Sequence, residues 1–268
     1  MPFIKGGKES IRIEIKNLSF SYNSSQKVLD DISLNLIEGE FVSILGCNGA
    51  GKTTLFKSML GFLTPQKGSI LLDEKPLSSY KPKEIAQKIA YIPQLSYSTF
   101  DYTVFNTVLM GTTCQISTLS TPKKREEEAV NSILANLGIS HLANKKINEI
   151  SGGERQLALI ARALAQKAKI LILDEITANL DYGNQIKVLS MISKLTEQGY
   201  TILFSTHNPE GALIYADRIL LLDSGKISFS DTPEKLAATD LLSSLYKTDL
   251  YIEKLSIGNK SRYICIPR

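Results

Sequence analysis

The nine residues GCNGAGKTT (46–54) bring three glycines, a lysine and two threonines into one short run. Gly46-Cys47-Asn48-Gly49-Ala50-Gly51-Lys52-Thr53 fits the pattern G-x-x-x-x-G-K-[ST]. Glycines let successive backbone N–H groups turn into one concave nest, which suits an anion. Lys52 adds a mobile positive charge for outer phosphates, and the Thr53 hydroxyl can ligate Mg²⁺. A second group lies in KILILDE (169–175). Asp174 there ends an apolar run, where one carboxylate can hold Mg²⁺ through water, and Glu175 can polarise an attacking water. Alone, an apolar run ending in Asp-Glu is an ordinary strand reaching the surface. Downstream of a phosphate cradle it points to a nucleoside triphosphatase. A third group, ISGGERQLALIARAL (150–164), sets Ser151-Gly152-Gly153 before a helical pattern, a second anion-binding helix start. Two such starts for one nucleotide imply that the second serves a nucleotide on another copy, in a head-to-tail dimer.

These residues need rigid supports, and the pattern supplies them. IRIEIKNLSF (11–20) alternates with period two, as a half-buried strand does. EFVSIL (40–45), KILILDE, TILFST (201–206) and RILLLD (218–223) are dense apolar runs, expected as strands buried on both faces of a parallel sheet. Helical patterns cover 51–61, 122–137, 153–167, 184–197 and 208–216, with Thr121-Pro122 opening one and Gly138 closing it. Strand–helix alternation predicts an α/β fold. Residues from about 95 to 167 show helices and loops without a strand pattern, and are expected to form an inserted helical subdomain. The last thirty or so residues form a short tail.

Of the 268 residues 43% are hydrophobic and 22% charged, with a net charge of +4 and acids and bases interleaved. That balance gives no nucleic-acid footprint. No apolar run approaches the roughly 20 residues of a membrane helix, and MPFIKGGKES has no apolar stretch of the kind a secretory signal needs. Cys47, Cys114 and Cys265 are few, odd in number and scattered, as free thiols in a reducing compartment are.

With these motifs in this order, residues 11 to 230 resemble the ATP-binding cassette (ABC) family. The resemblance implies a P-loop NTPase fold of the ABC type: a mostly parallel sheet core, an antiparallel β subdomain and an inserted α-helical subdomain at about 95–167. The ATPase domain would cover 1–240 and the tail 241–268. It implies ATP and Mg²⁺ as ligands. Tyr22 in SFSY matches the aromatic that stacks on adenine, and Gly46, Cys47, Asn48, Gly49, Ala50, Gly51, Lys52, Thr53 and Thr54 match the phosphate loop. Gln94 in YIPQ matches the glutamine that touches Mg²⁺ and reports on the transmembrane partner, beside Thr53 and Asp174 as metal ligands. Ser151, Gly152, Gly153 and Glu154 match the signature that meets the partner chain's ATP, and Asp181 in ANLD matches the loop joining two active sites. His207 in FSTHN matches the switch histidine at the γ-phosphate. Lys52, Glu175 and His207 would be the catalytic residues.

Some positions depart from the pattern. Ile150 stands for the usual leucine and Glu154 for the usual glutamine. Ile176 stands where proline is common, which is expected to loosen that turn. Cys47 replaces a proline inside the phosphate loop, where amides and a helix dipole favour thiolate.

The resemblance extends to subtype. FDYTVFNTVLMG (100–111), SGGERQLALIARALAQ (151–166) and LLSSLYKTDLYIEK (241–254) look like the ATPases of iron-siderophore, haem, vitamin B12 and molybdate uptake. This implies a subunit on the cytoplasmic face of the cell membrane. Its partners would be a second copy of itself, a separate permease dimer and, indirectly, an extracytoplasmic binding protein. Other readings are a zinc, manganese or other importer, an exporter with separate subunits, or a soluble ABC ATPase. The last would show long coiled coils or a second cassette, and neither is present in this sequence.

Overall fold

The computed structural model describes residues 10–23, 26–94, 101–116, 121–257 and 260–267. The N-terminal stretch read against a secretory signal, residues 95–100 and 117–120 of the expected helical insertion, and Arg268 of the tail lie outside the described residues or largely so.

The chain opens with strands β1 (Ile11–Phe20), β2 (Leu29–Ile37) and β3 (Phe41–Leu45), then helix α1 (Lys52–Met59). Strands β4 (Lys67–Leu72) and β5 (Lys75–Pro76), the short helix α2 (Pro82–Ala86) and β6 (Ile89–Ile92) follow. Helices α3 (Val104–Leu109), α4 (Lys124–Asn136) and α5 (Gly152–Ala165) come next, before β7 (Ile170–Asp174). Then α6 (Tyr182–Glu197), β8 (Thr201–Thr206), α7 (Pro209–Tyr215), β9 (Arg218–Asp223) and β10 (Lys226–Asp231) complete the main body. The chain ends in α8 (Pro233–Ala237), α9 (Leu241–Tyr246) and the strands β11 (Leu250–Ile257) and β12 (Lys260–Pro267).

Six strands form one sheet in the order β10-β9-β3-β8-β7-β6, parallel throughout except for β10 at one edge. Every residue of β3, β7 and β8 is buried, as a strand covered by helices on both faces requires. A second sheet, β2-β1-β4-β5, is antiparallel. This is the ABC ATPase architecture that the sequence implied.

Between β6 and β7 the described residues carry helices and short helical turns, with one isolated bridge between Thr103 and Lys146. These helices have their own apolar centre around Val104, Val130, Leu134 and Leu142. Helix α5 serves two cores at once. Leu159, Ile160 and Ala163 pack into the sheet core, while Ala158, Ala161 and Ala165 face the helical one. The start of α5 at Ser151 is therefore fixed by packing on two sides.

One local expectation differs. Helix α4 begins at Lys124 rather than Pro122, because the Glu126 carboxylate accepts the Lys123 N–H at 2.9 Å and sets the cap there. Its end is as expected, with Gly138 at φ 70°. The short tail is a helix followed by a two-stranded hairpin, β11 against β12.

Candidate functional site

The glycine-rich loop leaves β3 and turns into α1, so its amides sit where that helix begins. Gly51, the residue before α1, has φ 107°, a conformation that strains any side-chain-bearing residue. Cys47 through Thr54, with Gln94 and Glu175, line an open depression of about 380 Å³.

Lys52 and Glu175 meet inside it. The Lys52 ammonium lies 3.0 Å from a Glu175 oxygen, and the two side chains are only 6% and 8% exposed. Lys52 also donates to the main-chain oxygens of Gly46 (2.6 Å) and Cys47 (3.2 Å). The other Glu175 oxygen accepts from Gln94 Nε2 at 3.0 Å and faces His207 Nδ1 at 3.4 Å. Three residues from three separate segments thus converge on the Glu175 carboxylate.

Glu175 is held in an uncommon backbone conformation, φ 48°. Such left-handed geometry costs about 1–2 kcal/mol and persists only where neighbours enforce it. Here its N–H is shared between the Ser205 main-chain oxygen and the Ser205 hydroxyl, both at 3.1 Å. The next residue, Ile176, is 1% exposed and packs in the sheet core. Burial anchors the turn that the missing proline was expected to loosen.

Asp174 is fixed by three hydroxyls. Thr53 Oγ1 donates to it at 3.0 Å, Tyr91 OH at 3.2 Å and Ser205 Oγ at 2.6 Å. Burial, reinforced by the Asp174 charge, pushes the Tyr91 phenol well up, so it remains a donor. Thr53, Asp174 and Gln94 offer hard oxygen atoms, the donor set that Mg²⁺ prefers. Among the described residues no cluster of three or more histidine, cysteine, aspartate or glutamate side chains could hold a metal alone. A site with one carboxylate, completed by substrate phosphates, fits Mg²⁺.

Of the remaining predicted residues, Tyr22 and Cys47 lie beside this centre, while the signature residues and Asp181 lie apart from it. Tyr22 is 57% exposed, and its hydroxyl lies 3.4 Å from Thr54 Oγ1. Its ring makes a T-shaped contact with Phe20, the planes 88° apart. The Cys47 thiol donates to the Leu245 main-chain oxygen at 3.3 Å.

Ser151, Gly152, Gly153 and Glu154 do not line the depression. Ser151 caps α5, and the Ser151 N–H and hydroxyl both donate to Glu154 at 2.8 Å, holding that carboxyl below its usual range. Beside it, Asp181 caps α6 and accepts from the Asn184 N–H (2.9 Å) and side-chain amide (2.6 Å), which hold its carboxyl low. Asn184 in turn packs where a Cβ on Gly153 would come within 2.7 Å. Asn184, held by Asp181, thus packs against the signature segment, apart from the depression of the same chain.

Sequence reasoning missed Ser205, Tyr91 and Asn184. Tyr91 had a usable signal, since it shares the YIPQ segment with Gln94. Ser205 has none outside the register that sets it opposite Asp174.

The ABC transporter family pattern matches residues 29–178. An uncharacterized ABC transporter ATP-binding protein of Haemophilus influenzae is 40% identical over 237 residues, 88% of this chain and 89% of that protein. The molybdate import ATP-binding protein MolC of the same organism is 35% identical, covering 85% and 86%. A probable iron chelatin transport ATP-binding protein of Helicobacter pylori is 35% identical, covering 89% and 94%. Among solved structures, an inward-facing one assigned as a metal-chelate type ABC transporter superposes with a TM-score of 0.84 at 30% identity, over 97% of this chain and 98% of that one.

Proposed function

Because the chain belongs to the ABC transporter family, as an ATP-binding subunit, we propose that it hydrolyses ATP to drive import of a metal-chelate type substrate through a separate membrane permease. The observation that carries this reading is the Lys52–Glu175–Gln94–His207 cluster beside Asp174 and Thr53. It gathers a phosphate cation, a carboxylate for water and a metal carboxylate in one place.

In this reading adenine stacks on Tyr22 and the phosphates lie along 46–54. Lys52 leaves Glu175 for the β- and γ-phosphates, which frees the carboxylate to orient and deprotonate water. Thr53, Asp174 and Gln94 hold Mg²⁺, which when bound offsets charge on the phosphate oxygens. His207 faces the γ-phosphate. Ser151 through Glu154 of a second copy close over the nucleotide, and Asp181 passes the state of one site to the other. Loss of the γ-phosphate removes what bridges the copies.

The permease is expected to dock in a groove of about 780 Å³ lined by Phe62, Leu63, Ile70, Tyr80, Ile85 and Tyr91 among others. Phe62 is 72% exposed at its rim. Tyr91 both lines this groove and donates to Asp174, a direct route from docked partner to site. No helix among the described residues is long and apolar enough to cross a membrane. The subunit would sit on the cytoplasmic face, and an extracytoplasmic binding protein would deliver the cargo.

Affinity capture of the tagged chain from its own host's detergent-solubilised membranes tests this. A stoichiometric permease of about ten spans supports the chelate importer. A six-span permease moves the substrate class, and ribosomal or DNA-bound proteins without a membrane partner contradict transport.

A further inference from the structure

Two adjacent residues of the tail bond to both flanks of the nucleotide site. The Leu245 main-chain oxygen accepts from the Cys47 thiol in the phosphate loop at 3.3 Å. The Tyr246 hydroxyl donates to the His207 main-chain oxygen at 2.8 Å.

The packing beneath α9 reinforces this. Leu242 and Leu245 share an apolar cluster with Leu45, at the end of β3, and with Ala212 and Leu213 of α7. Leu45 directly precedes the phosphate loop, and α7 directly follows His207. The same two elements that carry the loops therefore also seat the helix that bonds to them. Helix α9 is pinned at its far end: Lys247 turns at φ 53°, and the Ser243 hydroxyl donates to Leu250 O at 2.7 Å while accepting the Leu250 N–H at 3.0 Å. Burial pushes the Tyr246 phenol up, so it stays protonated and able to donate.

His207 needs such support. Its imidazole is 52% exposed, so packing does not fix it, yet Nδ1 must stay near Glu175. The following residue is held from the other side, where the Asn208 N–H donates to Thr206 Oγ1 at 3.0 Å.

We propose that Tyr246 is a positioning residue for hydrolysis, fixing the His207 peptide, and that Leu245–Tyr246 forms a strap tying the phosphate loop to the histidine turn. The proposal rests on the reading of His207 as the γ-phosphate contact. A carbonyl held in place orients its own peptide plane and hence the direction in which the side chain leaves it. The strap thus makes the tail part of the catalytic apparatus.

The test uses the full-length chain with Tyr246→Phe, His207→Ala and the double variant. Phenylalanine keeps the ring and removes one donor. Tyr246→Phe should lower kcat roughly three- to tenfold, the effect of one lost hydrogen bond, while KM for Mg-ATP stays within about twofold. In the His207→Ala background the same change should add no further loss. The chain has two histidines, His141 and His207, so imidazole NMR gives a second readout without turnover. Tyr246→Phe should move the His207 resonances and leave those of His141. A wild-type kcat in Tyr246→Phe beside a slow His207→Ala overturns the strap alone. So does an equal loss in both backgrounds, or an unmoved His207 signal. A wild-type rate in His207→Ala withdraws the reading of His207, and the strap with it.

Discussion

Lys52 and Glu175 are bound to each other, 3.0 Å apart and nearly sealed from solvent. In the proposed reading the cation for phosphates and the carboxylate for water thus occupy one another, and a bound nucleotide would separate them, making phosphate binding and carboxylate release one event. Removing one member of a buried pair strands the other charge, at a cost of about 3 kcal/mol. Lys52→Ala should therefore weaken ATP binding and also lower unfolding stability in urea. Adding Glu175→Gln should recover part of that stability and none of the binding. Equal stabilities for the single and double variants would contradict the pairing.

Glu175→Gln alone should separate binding from turnover. Glutamine can keep the contact with Gln94 but cannot take a proton from water. ATP should bind at least as tightly as to the wild type, since Lys52 is no longer held by a charge. Phosphate release should fall roughly 10²–10⁴-fold, the usual worth of a positioned general base. A filter-binding assay beside a phosphate-release assay reads both.

Thr53→Ala removes a hydroxyl that donates to Asp174 and is proposed to ligate Mg²⁺. The Mg²⁺ concentration for half-maximal ATPase activity should rise about tenfold or more. Nucleotide binding in the presence of a chelator should change little. A Mg²⁺ titration of initial rates decides it.

Ser151→Ala should show that the signature serves another copy. The lost cap costs about 1 kcal/mol of stability. Because Ser151 lies outside the depression of its own chain, ATP binding to the isolated subunit should be unchanged. ATP-dependent dimerisation of the Glu175→Gln chain, followed by sedimentation, should be lost. A parallel loss of binding would place Ser151 in its own chain's site.

The parts legible in the sequence are those with a strong local period or fixed spacing. The dense runs of β8 and β9 coincide with the expected residues, since no surface alternation blurs a strand buried on both faces. The phosphate loop and Asp174-Glu175 stand out by spacing alone, and the structure brings them together through Lys52–Glu175 and Thr53–Asp174. Ser205 could not, because a serine inside TILFST carries no mark until β7 and β8 align it with Asp174. The left-handed turn at Glu175 was hidden for the same reason: its cause, the double acceptance by Ser205, is tertiary. The bonds from Leu245 and Tyr246 span 198 and 39 residues, and no window of sequence contains them.

The central claim is that Glu175-dependent hydrolysis powers import, and transport itself tests it most directly. The chain and its captured permease would be placed in liposomes with Mg-ATP inside and a labelled ferric chelate, with its binding protein, outside. The account predicts accumulation of label with wild-type chain and none with Glu175→Gln, although both bind ATP. Hydrolysis without accumulation, or accumulation that survives Glu175→Gln, would contradict it.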